Sequence, residues 1–472
     1  MKTMNQKRVS VVIGAGFGDE GKGITTARLV HFIKSRQCPT YLRPAQRDVV
    51  VVRYNGGAQA SHTVVANGFR HAFSHFGAGT LSAASTHLSN DFIVNVDLFF
   101  RERHILKTAG YHPIVTLDPR AKITLPIDII INQVAELNRE ARHGSCGLGI
   151  NETVTRYERW NDAERTHAAL HRCTSIVDDG NADEDRIAGD TEREVFGTTL
   201  NPKSFKTSTM YQWFLTRLEQ LGLTERRVLD TLQITSFDTC VEFIASVMRV
   251  WLSRWIEFNC FVTVQTLGGN LCLHRAQRTH YSDRDSTLIF EGAQGLELDE
   301  VNGIFPHVTR SRTGSTNIIS ALKELSEVAQ RPIEVDLHYV SRIYKTRHGA
   351  GPLEHEKTIQ EMFDLGYNIR DLTNVPNEFQ GTLRYGLLDV DALHARIEQD
   401  LQLWNDSGFS VGTKTLEITC ADQATDPQAV AYVQGHRERT TTLETFASDA
   451  LAQFVSDGFM INFHSSPALD GD

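Results

Sequence analysis

An aspartate and a lysine stand inside a glycine-rich stretch near the start of the chain. Residues 16–23 read GFGDEGKG and contain Asp19 and Lys22. Glycines allow several backbone N–H groups to converge on one anion, and the lysine adds a full positive charge. A carboxylate among these groups would repel a phosphate unless a cation lies between them or the carboxylate takes a proton from a second substrate. The stretch therefore indicates phosphate binding combined with metal or proton chemistry at Asp19.

The elements that must hold this loop are a strand before it and a helix after it. Residues 9–13 form a short apolar run, and apolar residues recur at helical spacing through residues 24–33. The spacing fits both the dinucleotide fingerprint and the first part of a P-loop. The fingerprint lacks its acidic residue about 20 positions further on, and Gly23 stands where a P-loop has a magnesium-binding hydroxyl. A metal would therefore need another ligand, and Asp19 is the candidate.

Further loops combine glycine with polar side chains and follow apolar runs. Predicted strands lie at residues 49–54, 114–117, 127–131, 287–290 and 335–344, and the loops lie at residues 55–63, 144–151, 291–295 and 346–352. Ligands bind at the carboxyl ends of strands in open α/β sheets, so we expect these loops to converge on one site for multiply phosphorylated ligands. His62, which follows the Gly56-Gly57 turn, is the candidate functional histidine there.

Composition favours a soluble enzyme with small ligands. The chain has 472 residues, 40% of them hydrophobic, and a net charge of −10, which argues against a general nucleic-acid-binding surface. Its seven cysteines are an odd number without a C-x-x-C pair, which suggests reduced thiols and no structural zinc. No signal sequence or membrane-spanning run is evident, so we expect a cytoplasmic protein.

We predict an α/β fold in one large domain over residues 1–472. A mixed, mostly parallel central sheet would be flanked by helices, with the P-loop-like strand, loop and helix at the N-terminus. An insertion is expected at about residues 160–285, acidic over residues 160–196 and helical over residues 211–258. Its three tryptophans are expected in the core rather than against a cofactor: Trp213, Trp251 and Trp255.

Four sequence blocks, taken together, resemble the adenylosuccinate synthetase family. They read GDEGKG at 18–23, NGGAQASHT at 55–63, FEGAQG at 290–295 and TRHGAGP at 346–352. The resemblance implies a cytoplasmic homodimer that joins L-aspartate to inosine monophosphate (IMP) through a 6-phosphoryl intermediate, with hydrolysis of GTP. It also implies one Mg²⁺ per subunit, and neither a nucleic acid nor a membrane as partner.

The resemblance also implies roles for individual residues. Asp19 would be the base and a metal ligand, with the carbonyl of Ser61 completing the metal shell. His62 would hydrogen-bond the transferring phosphoryl group, and Lys22 would neutralise its charge. The other implied contacts are to the nucleotide by Gly18, Glu20, Gly21, Lys22, Gly23, Thr63 and Lys414; to the purine monophosphate by Gln59, Ser145, Cys146, Gln294, Thr309 and, from the neighbouring subunit, Arg156; and to aspartate by Thr382 and Arg384.

Departures from the family pattern leave two alternatives. The altered residues Gln59, Cys146 and Leu148 favour the phage-type relative that acts on deoxyguanosine monophosphate (dGMP), where ATP can replace GTP. Asp19 opposes this alternative because those relatives carry serine at that position. The second alternative is a non-catalytic nucleotide-binding sensor or partner protein, supported by an arginine loop reduced to Arg384. The guanine-reading motif, placed near Lys414, lacks its aspartate in register.

Overall fold

The computed structural model describes residues 7–35, 48–140, 144–159, 201–264, 286–329, 331–370, 381–426, 429–465 and 469. The strands are β1 Lys7–Gly14, β2 Val49–Arg53, β3 His62–Ala66, β4 Phe69–Phe73, β5 Ser85–Leu88, β6 Ile93–Val94, β7 Val115–Leu117, β8 Lys122–Ile123, β9 Thr263–Val264, β10 Thr287–Gly295, β11 Ile333–Arg342, β12 Lys345–Arg347, β13 Glu356–Lys357, β14 Arg384–Gly386, β15 Leu388–Asp389, β16 Ser410–Thr419, β17 Val430–Gln434, β18 Arg437–Thr441 and β19 Met460–Phe463. The helices are α1 Lys22–Lys34, α2 Val96–Thr108, α3 Pro126–Leu137, α4 Ile150–Arg159, α5 Pro202–Phe205, α6 Thr209–Gln220, α7 Glu225–Leu232, α8 Phe237–Phe261, α9 Thr316–Ala329, α10 Ile359–Asp364, α11 Val390–Ser407, α12 Phe446–Asp449 and α13 Ala452–Ser456.

The central sheet of the described chain has nine strands in the order β19-β16-β11-β1-β10-β2-β5-β7-β9. All neighbouring strands in it pair in parallel. Antiparallel pairs occur in the smaller sheets. The predicted α/β class with a mostly parallel sheet is confirmed. Because β11, β1, β10 and β2 are adjacent, their carboxyl ends meet at one edge of the sheet. Residues 291–295, predicted as a loop, are instead the last part of β10.

The strands at the centre of the sheet are apolar on both faces because both faces are covered. Val9, Val11 and Ile13 of β1 belong to one hydrophobic core, while Val12 packs with Val30 of α1 in another. Helix α1 therefore lies directly on the sheet with its first turn at the end of β1. This packing fixes the position of the glycine-rich loop between them.

Residues 211–258, which the sequence predicted to be helical, lie in helices α6, α7 and α8 and the short breaks between them. The three tryptophans are buried as expected: Trp213, Trp251 and Trp255. The acidic segment at residues 160–196 lies outside the described residues. No helix within the described residues is long and apolar enough to cross a membrane.

One predicted strand, at residues 127–131, is wrong. These residues lie in helix α3, which has Pro126 in its first turn. Asp128 accepts a hydrogen bond from the backbone N–H of Leu125 at 3.0 Å, which satisfies an N–H group that the helix start leaves free. A short apolar run does not distinguish a buried strand from a buried helical turn. The loop at 144–149 consequently follows a helix, not a strand.

Candidate active site

The glycine-rich loop is organised by the carboxylate of Glu20. The Oε1 atom of Glu20 accepts hydrogen bonds from Gly16 N at 3.1 Å and Gly18 N at 2.6 Å. Lys22 Nζ donates to Glu20 Oε2 at 2.9 Å and to the carbonyl oxygen of Gly18 at 2.6 Å. Glu20 and Lys22 are both buried. Glu20 was predicted to bind nucleotide, but its carboxylate points into the loop. Lysine has three donors, so one N–H of Lys22 is left for a ligand.

Gly23 has a packing role that explains why no hydroxyl residue follows the lysine. A Cβ atom at Gly23 would lie 2.6 Å from the Cβ of His62. Any larger residue would push the first turn of α1 away from β3. The start of α1 therefore lies directly against His62, and the loss of the P-loop hydroxyl results from this close approach.

His62 belongs to a buried ionic cluster with Arg53 and Glu291. The Nδ1 atom of His62 lies 2.7 Å from Glu291 Oε1, and Arg53 Nη1 lies 3.3 Å from Glu291 Oε2. The backbone N–H of Ala78 donates to the same carboxylate at 3.1 Å. The sequence indicated no role for Arg53 or Glu291. Their signal was a charged residue within or at the end of an otherwise apolar strand, because such residues are rarely buried without a partner.

The charges of this cluster influence the protonation state of His62. Burial, and then the charge of Arg53, lower the pKa of His62 below its ordinary value. Burial raises the pKa of Glu291, but His62 and Arg53 lower it, and the net direction is downward. Two groups lie close to Nδ1 of His62: Glu291 Oε1 at 2.7 Å, which can only accept, and Arg53 Nη1 at 3.0 Å, which can only donate. The shorter contact favours an N–H on Nδ1 that donates a hydrogen bond to Glu291. The Nε2 atom lies 3.5 Å from the carbonyl oxygen of Ala293 and is the ring atom that can serve a ligand.

Asp19 lies at the outer side of the loop, opposite His348. Its Oδ2 atom is 3.3 Å from His348 Nε2, and the two side chains are 24% and 23% exposed. The backbone oxygen of Asp19 accepts a hydrogen bond from Nε of Arg342, at the end of β11. Asp19 is thus held from the backbone while its carboxylate stays accessible, as a base or a metal ligand requires. His348 lies in a block that the sequence marked, but it had no predicted role.

The loop that carries His348 is fixed by Arg384. The Nη1 atom of Arg384 donates to the carbonyl oxygens of Gly349 at 3.1 Å and Gly351 at 2.8 Å. On the other edge of the guanidinium, Nε of Arg384 donates to Glu356 Oε1 at 2.8 Å. A guanidinium has five N–H donors, and this arrangement uses most of them. It counts against the predicted role of Arg384 as a direct aspartate ligand.

Two glutamine side chains lie beside the loop after β2. The buried amide oxygen and nitrogen of Gln59 have no hydrogen-bond partner among the described residues, and neither has the amide oxygen of Gln294. A Cβ atom on Gly57 would lie 3.1 Å from Gln59 Oε1, and a Cβ atom on Gly56 would lie 2.8 Å from Gln294 Oε1. Both glutamines therefore flank one turn. Buried amides without partners are costly unless a ligand satisfies them, so they agree with a polar ligand at this place.

Ser145 and Cys146 lie in the loop before α4. Ser145 Oγ donates to Asn132 Oδ1 at 3.1 Å and accepts from Gly147 N at 3.2 Å. Burial raises the pKa of the Cys146 thiol to about 11, so it remains protonated. A Cβ atom at Gly144 would lie 2.5 Å from Cα of Gly349. This loop therefore touches the loop that carries His348.

The remaining predicted residues are more dispersed. The hydroxyl of Thr63 is buried without a partner in the described part of the chain, next to His62. Thr309 donates its backbone N–H to Leu298 O at 2.9 Å, and its side chain is half-buried. Ser61 and Thr382 are exposed.

Lys414 lies away from the glycine-rich loop. It lies in the first half of β16, where its Nζ donates to the carbonyl oxygen of Asp457 at 2.6 Å. The ligand end of β16 is at Thr419, whose hydroxyl donates to Glu20 O at 2.6 Å. Five residues of strand separate the two positions by about 16 Å. The turn that follows carries Asp422, an exposed residue to which the sequence assigned no role.

Arg156 has a different environment from the predicted one. It is buried, with Nε 2.9 Å from Asp128 Oδ1 and Nη2 2.8 Å from Asp128 Oδ2, and Nη2 also donates to Ile123 O at 2.7 Å. A guanidinium used in this way would have to leave a buried carboxylate unpaired to reach a neighbouring subunit. The geometry therefore corrects the prediction that Arg156 crosses a dimer interface.

Comparison with known proteins agrees with the four sequence blocks. The family model described as adenylosuccinate synthetase matches residues 11–175 and 264–400. The adenylosuccinate synthetase of Acinetobacter baylyi is 25% identical over 399 residues, covering 82% of this chain and 74% of that protein. The fully ligated adenylosuccinate synthetase from Plasmodium falciparum is a structural match with a TM-score of 0.57 and 18% identity, covering 98% of each chain. The cyanophage S-2L succinoaminodeoxyadenylate synthetase bound to dGMP and dATP as an energy donor matches with a TM-score of 0.52 and 13% identity, covering 98% of this chain and 94% of that one.

Proposed function

Because the chain belongs to the adenylosuccinate synthetase family and is therefore a ligase that forms C–N bonds, we propose that it joins L-aspartate to C6 of IMP. The reaction consumes GTP and releases GDP and phosphate. The observation that carries this proposal is the direct contact between the start of α1 and His62. It puts the glycine-rich loop and a buried, carboxylate-held histidine at one sheet edge, with Asp19 on the same loop.

The first chemical step is a phosphoryl transfer to the purine. Asp19 accepts the N1 proton, O6 attacks the γ-phosphoryl group, and the diphosphate leaves with the electrons of the broken P–O bond. His62, with a proton taken up from solvent on Nε2 before the transfer, donates a hydrogen bond to the transferring group, and Glu291 stabilises the positive charge of the ring. The free N–H of Lys22 donates to the same group.

The second step uses the phosphate as a leaving group. The amino group of aspartate attacks C6, phosphate departs with the electrons of the C6–O6 bond, and the amine releases a proton. Thr382 is exposed near Arg384 and is the proposed contact for the aspartate carboxylate. Arg384 holds the adjoining loop, so its guanidinium does not bind the aspartate carboxylate bidentately.

A magnesium ion fits the donors at this edge. The accessible carboxylate of Asp19 and the backbone carbonyl of Ser61 are hard oxygen ligands, and phosphate oxygens and water would supply the rest. When bound, Mg²⁺ neutralises charge on the transferring phosphoryl group. Gly23 provides no hydroxyl, so the carboxylate of Asp19 takes that function. We further propose a cytoplasmic homodimer, in line with the family.

A second candidate acceptor is dGMP. The specific observation in its favour is the pair of partnerless amides, because the oxygen atoms of Gln59 and Gln294 could accept hydrogen bonds from a 2-amino group that IMP lacks. The cyanophage enzyme binds dGMP with dATP. Asp19 in the loop favours IMP.

A matrix of IMP, GMP and dGMP against GTP and ATP tests the proposal, with adenylosuccinate-type product measured by absorbance and chromatography. Turnover with IMP and GTP is expected, and turnover with dGMP alone would replace it with the second candidate. Nucleotide binding without turnover for any pair would indicate a sensor or partner protein.

A further inference from the structure

We propose that His348 is a positioning residue that fixes the carboxylate of Asp19 for proton abstraction, and that Arg384 acts through it by holding its loop. The inference rests on the proposed function for its kinetic consequence. Its structural content, the contact of His348 Nε2 with Asp19 Oδ2 at 3.3 Å, stands independently of the substrate. Neither residue needs to touch the reacting atoms.

The contact between His348 and Asp19 has the geometry of a second anchor. The backbone of Asp19 is held by Arg342, which leaves the side chain free to rotate about its own bonds. His348 Nε2, 3.3 Å from Oδ2, restrains that rotation. The other carboxylate oxygen then remains available for the purine N1 proton or a metal ion. The Nε2 atom carries its proton in one neutral tautomer as well as in the charged ring, so the restraint does not require a charged histidine.

The position of His348 is determined by the loop around it. Gly351 has a positive φ of 105°, and Gly349 one of 70°, so the loop bends where only glycine is relaxed. Arg384 closes this bend through the carbonyl oxygens of Gly349 and Gly351. On the other side Gly144 abuts Gly349 so closely that a Cβ atom would not fit. The loop is thus held on both sides, with His348 directed at Asp19.

This arrangement gives a role to the single arginine of the reduced loop. Its guanidinium pairs with Glu356 and with two carbonyl oxygens, and none of these groups is a ligand. Loss of Arg384 would release the bend, and the orientation of Asp19 with it. A misplacement of about 1 Å at a reacting group costs about 100-fold in rate.

Steady-state kinetics of three variants test the proposal. His348→Leu removes the donor and is expected to lower kcat about 30- to 100-fold, with KM values for both nucleotides within about threefold of wild type. His348→Gln keeps an N–H near the Nε2 position and should recover at least tenfold of that loss. Arg384→Gln should resemble His348→Leu. His394→Leu is the matched control, because it removes a histidine–aspartate pair, with Asp457 at 2.6 Å, outside this site.

Long-range ¹H–¹⁵N spectra of the histidine rings provide the readout that does not depend on turnover. The His348 signal, assigned by its loss in His348→Gln, should move when Asp19 is replaced by asparagine and stay in place in His394→Leu. An unmoved signal overturns the proposal, as does wild-type-like kcat in His348→Leu. If the wild type turns over no substrate, the proposed function fails while the spectra still decide whether His348 holds Asp19.

Discussion

The two sides of the candidate active site are stabilised differently. On the inner side, Arg53 and Glu291 are fully buried, and their charges are balanced within the sheet. On the outer side, the corresponding pair of Arg384 and Glu356 is 27% and 43% exposed. A buried pair is costly to break, whereas an exposed pair contributes little to stability. The inner side is therefore a fixed part of the fold, and the outer side can change without loss of the fold.

One departure from the family pattern lies on the outer side. His62 and Glu291 of the inner cluster belong to blocks that resemble the family closely, at 55–63 and 290–295, and Arg53 stands two residues before the first block. Arg384, the single arginine of the reduced loop, lies on the outer side. In the proposed function, phosphoryl transfer is therefore assigned to the side where charges are locked, and the aspartate site to the side where they are not.

The largest expected effect is that of Asp19→Asn. We expect turnover to fall about 10³-fold or more, because the substitution removes the proposed base and metal ligand but little volume. Nucleotide binding, measured by calorimetry, should stay within a few-fold of wild type. Asp406→Asn, on the exposed face of α11, serves as the control. Turnover within tenfold of wild type would refute the assignment of Asp19.

Breaking the inner pair should cost far more stability than breaking the outer pair. Glu291→Gln leaves the Arg53 cation buried without its counter-charge, and we expect a loss of about 3 to 5 kcal/mol in the free energy of unfolding. Glu356→Gln should cost less than about 1 kcal/mol. Chemical denaturation of both variants measures the difference. Equal losses would mean that the two sides do not differ in the way described.

A second buried cluster extends the comparison to pH. Burial raises the pKa of Glu102, but His71 and His75 lower it to about 2, from an ordinary value of 4.5. In acid the unfolded chain takes the proton first, so the contribution of Glu102 is complete above pH 4.5 and is lost as the pH falls towards 2. Wild type should exceed Glu102→Gln by about 3 kcal/mol in free energy of unfolding at pH 7, with the difference shrinking below pH 4.5. A constant difference across this range would contradict the shift.

His62→Ala separates chemistry from binding on the inner side. In the proposed function the Nε2 atom contacts mainly the transferring phosphoryl group, so turnover should fall about 100-fold while dissociation constants of both nucleotides change little. Single-turnover and binding measurements check this. If only the Michaelis constants rose, His62 would be a binding residue.

The sequence predicted the sheet edge because strand periodicity and glycine loops are local signals. The sequence did not predict contacts between residues that are far apart along the chain. Arg156 was read from its place after a loop, but its environment depends on Asp128 in another helix. Lys414 was assigned from a sequence motif, whereas its distance from the glycine-rich loop depends on where β16 ends. The prediction of a strand at residues 127–131 was wrong because an apolar run of that length fits the periodicity of a helix as well as that of a strand.

The smallest expected effect concerns the choice of triphosphate. Asp422 follows the end of β16, where Thr419 touches the glycine-rich loop, while Lys414 lies about 16 Å further back along the strand. A carboxylate can accept two hydrogen bonds from N1–H and the 2-amino group of guanine, and adenine offers no such pair. Asp422→Asn should therefore reduce the preference for GTP over ATP about tenfold, as measured by the ratio of kcat/KM values. Lys414→Ala should leave that ratio within about twofold. If Lys414→Ala changed the ratio and Asp422→Asn did not, the base would lie along β16 and not beyond its end.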